Sequence, residues 1–214
     1  MYKLEIIGLS ILFLFMTGCS QTKREYWPKG TLKSEIQTKG KIKEGTARYF
    51  FEDGSLQMEC GYQNNELSGM MTRYYLNGFK QEEQNYLAGE PDGPGKIWDR
   101  SGSLTNVVNY KAGKLNGVYR EWHANQALKT DGIYNNGMPH GQWLYYNDLG
   151  TVTGEGAFVN GTGTQKFYYD NGKIKQITKY KQNLKDGSEV FYREDGTVDQ
   201  LIEYKEGAII PAPG

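Results

Sequence analysis

A glycine recurs every 24 residues through almost the whole chain. Gly30, Gly54, Gly78 and Gly102 hold the spacing, Gln126 keeps the register, and Gly150 follows; one step of 22 leads to Gly172 and a last step of 24 to Gly196. Self-similarity at such a period means eight copies of one small unit stacked in an array, because a unit of this size cannot bury a core alone. An array of this kind offers a surface for binding rather than an enclosed pocket for chemistry.

Each copy carries further fixed columns. Four residues before the turn position stands an aromatic in all eight copies: Tyr26, Phe50, Tyr74, Trp98, Trp122, Tyr146, Tyr168 and Tyr192. Two residues after it stands an aliphatic in seven of the eight (Leu32, Leu56, Leu104, Leu128, Val152, Ile174, Val198), Lys80 being the exception. Eight residues after it stands an aromatic in seven (Tyr62, Tyr86, Tyr110, Tyr134, Phe158, Tyr180, Tyr204), Thr38 being the exception. A second glycine column, from Gly45 to Gly187, precedes the next copy.

Asp or Asn stands before the turn position in five copies (Asp53, Asn77, Asn125, Asn171, Asp195), and Asn-Gly or Asp-Gly between apolar segments predicts a β-hairpin. A three-residue loop with glycine in the left-handed conformation places Phe50 opposite Leu56 and Tyr168 opposite Ile174, whereas a two-residue loop would put them on opposite faces. The expected fold is all-β: about eight stacked antiparallel hairpins in an elongated, twisted meander sheet. Strand alternation then predicts one face holding the fixed aromatic, aliphatic and aromatic columns. The other face is variable, mixing Tyr49, Phe51, Tyr75, Tyr145, Phe167, Tyr169 and Phe191 with Arg73, Glu121, His123 and Arg193. The short step before Gly172 predicts the loss of two residues from one turn between hairpins.

The run Tyr168-Tyr169-Asp170-Asn171-Gly172-Lys173-Ile174 to Tyr180, and the half-unit Tyr110-Lys111-Ala112-Gly113 to Gly117, resemble the MORN-repeat variant. The resemblance covers residues 26–207 and implies a general scaffold used against proteins and lipids. Bacterial chains with this variant are often grouped with the YwqK-type antitoxin family, so the resemblance also implies a toxin as one candidate partner.

The N-terminus is a separate object. Lys3 precedes an apolar run from Ile6 to Met16, too short to span a bilayer comfortably, which reads as the core of a secretory signal. It ends in Met16-Thr17-Gly18-Cys19, which resembles a bacterial lipobox, with a small residue before the cut and a thiol to receive diacylglycerol. Met16 departs from the more usual Leu. An uncleaved anchor, or an ordinary signal with a chance cysteine, is the alternative. The expected organisation is a lipoprotein signal peptide over 1–18, an acylated Cys19 opening a short tether over 19–25, the repeat domain over 26–207 and a tail over 208–214. The protein would then sit lipid-anchored at a bacterial cell membrane or outer membrane, facing periplasm or surface. Ser20 favours the outer membrane, by resemblance to the sorting rule of enteric bacteria.

Composition excludes several classes. Basic and acidic residues number 25 each, so the chain lacks the electrostatic footprint of a nucleic-acid binder. With Cys19 assigned to lipid, Cys60 is left without a disulfide partner; it aligns with Ile36, Val108 and Ile202 and reads as a buried hydrophobe. His123 and His140 lack metal-ligand spacing, no nucleophile elbow or phosphate loop occurs, and Glu82 and Glu83 fall on opposite faces of a strand. The expectation is a non-catalytic protein with no cofactor and no metal site.

Three functions fit. A membrane-tethered scaffold would bind a protein or lipid partner through the variable aromatics Tyr49, Phe51, Tyr75, Tyr145, Phe167, Tyr169 and Phe191 with Arg73, His123 and Arg193. An antitoxin or immunity protein would neutralise a cognate toxin. A structural envelope protein would self-associate through the open strand edges of the array.

Overall fold

The computed structural model describes residues 19–211; the signal peptide assigned to residues 1–18 and the tail residues 212–214 lie outside the described residues. Eight hairpins follow one another: Ser20–Tyr26 with Leu32–Lys39, Ile42–Phe50 with Leu56–Gln63, Glu66–Leu67 and Gly69–Tyr74 with Lys80–Leu87, and Glu90–Trp98 with Leu104–Lys111. The second half repeats this with Lys114–Leu115 and Gly117–Trp122 against Leu128–Asn135, Met138–Tyr146 against Val152–Val159, Thr162–Tyr168 against Ile174–Lys181, and Leu184–Tyr192 against Val198–Lys205. Ala208–Ile210 adds the start of a ninth outgoing strand. Successive strands pair antiparallel in one open meander of 19 strands, in which Glu66–Leu67 with Gly69–Tyr74, and Lys114–Leu115 with Gly117–Trp122, are each two pieces of one outgoing strand paired to the strand before it; the described residues contain no helix. Ser20–Glu25, assigned above to a tether, are already strand: they pair with Ser34–Lys39.

Each hairpin tip is the expected three-residue loop. In the second unit Phe51 N–H donates to the Ser55 carbonyl and Gly54 N–H to the Phe51 carbonyl, with Gly54 at φ 87°. Phe50 lies opposite Leu56, and Tyr168 opposite Ile174. Gln126 adopts the same left-handed conformation at φ 66°, so the turn outlasts the loss of its glycine.

The expected division into faces is corrected by a bulge. Tyr49 pairs with Met58 but Phe50 with Leu56, which leaves Gln57 as an extra residue, and the same shift recurs in all eight units. The extra residues are Lys33, Gln57, Gln81, Thr105, Lys129, Thr153, Lys175 and Asp199, all polar. An inserted residue reverses the alternation beyond it. The aliphatic column therefore shares a face with the aromatics four before the turn, while Tyr62 and its equivalents share the opposite face with Tyr49 and its equivalents.

That second face is the core. Ala47, Cys60 and Met71 are buried there, flanked by Ile36, Tyr49, Met58, Tyr62, Leu67 and Tyr86. Further along, Trp143 (4% exposed) stacks between Tyr119 and Tyr145 at 5.8 and 6.4 Å and meets Tyr134 edge-on at 5.0 Å. Its ring lies flat on Gly132, where a Cβ would collide with it. The outer face instead carries a cross-strand charge ladder, Arg24–Glu35–Arg48–Glu59. Cys60 is 2% exposed, as its apolar alignment required, and burial pushes its thiol pKa up.

The short step is also corrected. The turn Asn160-Gly161 keeps both its residues; the two are missing from the strand that follows, Thr162–Tyr168. In a full unit Ile36 pairs with Ala47 and Thr38 with Lys43, so the outgoing strand bulges around Gly45 at φ 99°. The seventh unit pairs without a break from Val159↔Thr162 to Gly154↔Phe167, and has no such bulge.

Candidate functional site

The two ridges of the array are built differently. Along one ridge run the two-residue turns between hairpins, such as Asn136-Gly137 with φ 50° and 83°, the mirror-image turn that suits twisted strands. There each turn donates a backbone N–H to a carbonyl of the preceding one: Asn65 to Lys43, Gly89 to Leu67, Gly113 to Pro91, Gly137 to Leu115, Gly161 to Pro139, Asn183 to Gly161 and Gly207 to Lys185, at 2.7–3.0 Å. The ladder is continuous from the second unit onward.

Along the other ridge the tips are clasped only in pairs. Trp27 Nε1–H donates to the Phe50 carbonyl, Tyr75 O–H to the Trp98 carbonyl and Tyr169 O–H to the Tyr192 carbonyl, while His123 Nε2 meets the Tyr146 carbonyl. Thr31, Asn77, Asn125 and Lys173 add a second bond each, to the carbonyls of Glu52, Arg100, Asp148 and Glu194. All of these run from an odd unit to the even unit after it. In the even units the same position holds Phe51, Asp99, Asn147 and Arg193. Asp99 and Asn147 turn their Oδ1 back onto their own loops, accepting from Ser101 and Ser103 and from Leu149 and Thr151. The tips thus repeat with a period of two units, and no such clasp bridges the second to the third, the fourth to the fifth or the sixth to the seventh.

The candidate residues named from sequence fall into two sets. Tyr49, Arg73, Tyr145, Phe167 and Phe191 stand five before the turn and lie on the core face, not on a separate exposed one, because the bulge shifts the alternation. The Tyr49 and Tyr62 hydroxyls are 3.4 Å apart, and the Tyr145 ring lies 5.3 Å from Phe167. Burial pushes the Tyr145 phenol up to about 12. Phe51, Tyr75, His123, Tyr169 and Arg193 stand three before the turn, on the tip ridge. His123 and Tyr169 are clasps, and Arg193 pairs with Asp199 at 2.6 Å.

The structure brings three of the ten together. Phe51, Arg73 and Tyr75 line the opening between the second and third tips, with Gln57, Tyr74, Leu76, Asn77, Gln81 and Arg100. The resulting groove has a volume of about 660 Å³. Arg73 reaches Glu82 at 3.7 Å and keeps 47% of its side chain exposed. The Arg100 guanidinium lies 5.8 Å from the centre of the Tyr75 ring. Leu76 is 62% exposed at the rim and Phe79, beside it, 50%. Leu76 and Arg100 were not singled out from sequence. The signal that points to the opening, though not to these two residues themselves, is the column three before the turn (Trp27, Phe51, Tyr75, Asp99, His123, Asn147, Tyr169, Arg193), in which every second residue is an aromatic with a polar atom.

Among the described residues no three His, Cys, Asp or Glu side chains converge as metal ligands. Cys19 is exposed at the start of the first strand. The family described as the MORN repeat variant matches residues 43–64 and 162–182, so this repeat is found at two places in the chain. No curated protein matches the chain.

Proposed function

We propose that the chain is a non-catalytic repeat scaffold, held at the bacterial envelope by lipid on Cys19, that binds a protein partner along its tip ridge. The groove of Phe51, Arg73, Tyr75, Leu76 and Arg100 carries this reading. Half-buried aromatics beside exposed arginines and an exposed leucine are what protein interfaces concentrate. The MORN repeat variant is consistent with such a scaffold. A toxin as partner, and with it an antitoxin role, rests on the resemblance alone; self-association rests on the open sheet ends.

The test is a photo-crosslinking amino acid placed at Leu76, in the full chain and in its native cell, with a second placed at Val159 on the connecting-turn ridge. The reading expects one protein adduct from Leu76 and none from Val159. Equal adducts from both positions, or none, count against it. Intact mass of the purified protein tests the anchor: the reading expects a mature chain opening at Cys19 with a lipid adduct, lost in Cys19→Ser.

A further inference from the structure

We infer that the groove between the second and third tips takes an acidic segment of a partner protein, its carboxylates meeting Arg73 and Arg100 and a neighbouring aliphatic or aromatic side chain packing on Phe51 and Leu76. This rests on the scaffold reading above and names the chemistry of the partner.

The argument is one of charge at equivalent positions. The nine residues lining the groove include two arginines and no acid; Glu82, outside the lining, pairs with Arg73 at 3.7 Å, and Arg100 has no ion-pair partner among the described residues. Two units further on, the positions of Phe51, Arg73, Leu76 and Arg100 hold Asp99, Glu121, Ala124 and Asp148, with Lys129 in place of Gln81; two units beyond that, they hold Asn147, Phe167, Asp170 and Glu194, with Lys175 in place of Gln81, so that acids outnumber the lysine in both. The same backbone positions are thus basic at the third tip and net acidic at the fifth and seventh. In a chain of 25 basic and 25 acidic residues, the basic set is a local feature rather than a consequence of net charge.

The other arginines of this half are engaged elsewhere. Arg24 and Arg48 lie on the outer face, paired with Glu35 and Glu59. In the groove the Arg100 guanidinium stands beside the Tyr75 ring, an arrangement suited to a planar carboxylate on an apolar stem. With a volume of about 660 Å³ and one side open to solvent, the groove has room for a few side chains laid along it. The peptide favoured by this lining has Asp or Glu next to Leu, Phe, Tyr or Trp.

The experiment pans a random peptide display library on the full chain. Enriched peptides are then measured by fluorescence anisotropy against the wild type, Arg100→Gln, Arg73→Gln/Arg100→Gln and the equivalent-position control Asp148→Asn. Circular dichroism melts confirm that each variant is folded; Arg100 sits on a tip, so its variant tests the groove even where loss of the Arg73–Glu82 pair disturbs the sheet. We expect enriched peptides to carry an excess of acids beside apolar residues. Affinity should fall about tenfold in Arg100→Gln, further in the double variant, and not at all in Asp148→Asn. Enrichment without acids, no enrichment, or equal binding to Arg100→Gln overturns the inference. So does arginine-dependent binding of phosphatidylglycerol vesicles in the absence of any enriched peptide, which would assign the groove to lipid. The two readings fail separately. A Leu76 adduct that persists in the double variant removes the acidic segment and keeps the scaffold, whereas loss of every Leu76 adduct in the wild type removes the scaffold.

Discussion

Ala47 and Glu189 occupy the same position, seven residues before the turn, near opposite ends of the array. Both are buried, at 0% and 2% exposure, yet one is a methyl group and the other a carboxylate. Around Ala47 the core is Cys60 and Met71 with flanking Ile36, Tyr49 and Met58. Around Glu189 it is a polar cage: Gln176, Thr178 and Lys185 donate to Oε1 at 2.8, 3.1 and 2.6 Å, and Tyr204 donates to Oε2 at 3.0 Å. The backbone frame is common to both regions. In a stacked array each unit answers only to its neighbours, so the filling of one layer can drift from apolar to ionic without consequence six units away. What the drift requires is local completeness, since a buried charge is tolerated only when its partners are all present.

The comparison breaks most sharply at Met71. Met71→Ala empties the apolar layer, for which about 3 kcal/mol of stability should be lost. Chemical denaturation monitored by circular dichroism measures the loss, which should be the same at neutral and mildly acidic pH because no titrating group is removed.

Glu189→Ala should cost about 2 kcal/mol, since it strands four donors while Lys185 retains access to water. Its effect depends on pH. Burial by itself would raise the Glu189 pKa; the bonds from Lys185, Tyr204 and Thr178 outweigh it and hold the carboxyl below its usual range. A depressed native pKa means that on acidification the unfolded chain takes up the proton first. The stabilisation is therefore complete above the usual carboxylate range and is lost as pH falls through the native value. Glu189→Gln should flatten that part of the stability–pH curve. Hydrogen exchange should place the loss in residues 174–205 and leave the Ala47 layer protected.

How much of this was legible follows from what kind of feature repeats. The 24-residue glycine column, with Phe50 facing Leu56, gave the hairpin, its loop type and the all-β array, because turn chemistry is local. The division of faces was misread, since the bulge at Gln57 is marked only by a column of polar residues from Lys33 to Asp199, which looks like ordinary surface. Glu189 was invisible as a core residue: its partners Thr178 and Tyr204 come from different units, and an alignment of columns shows a charge where Ala47 stood. The groove was legible in part. Phe51, Arg73 and Tyr75 stood out as variable aromatic and basic positions, but the pairing of tips needs hydrogen bonds across 23 residues, which no single unit displays.

If the frame is shared while the filling differs, the clasps should be interchangeable between the two ends. Tyr75→Phe and Tyr169→Phe each remove one hydroxyl donor to a carbonyl, at 2.9 and 2.6 Å. Each should cost about 1 kcal/mol, irrespective of whether the layer beneath is apolar or ionic. A denaturation midpoint shifted at one end only would show that the filling governs the tips as well.

The smallest change in stability belongs to Phe51→Tyr, and it sharpens the contrast between open and clasped tips. Phe51 stands to Tyr74 as Tyr75 stands to Trp98 and Tyr169 to Tyr192, so the added hydroxyl falls in register with the Tyr74 carbonyl. One hydrogen bond between half-exposed groups should add a few tenths of a kcal/mol, about half or less of a buried one. The larger consequence is geometric. Drawing the second tip onto the third closes the opening and narrows the groove around Arg73 and Arg100. Binding of acidic peptides should then weaken although both arginines remain and the fold is, if anything, more stable. Unchanged peptide affinity in Phe51→Tyr, with both tips protected in hydrogen exchange, would mean that the paired tips are incidental to the groove. A joint gain in tip protection and loss of affinity would tie the two-unit period of the ridge to binding.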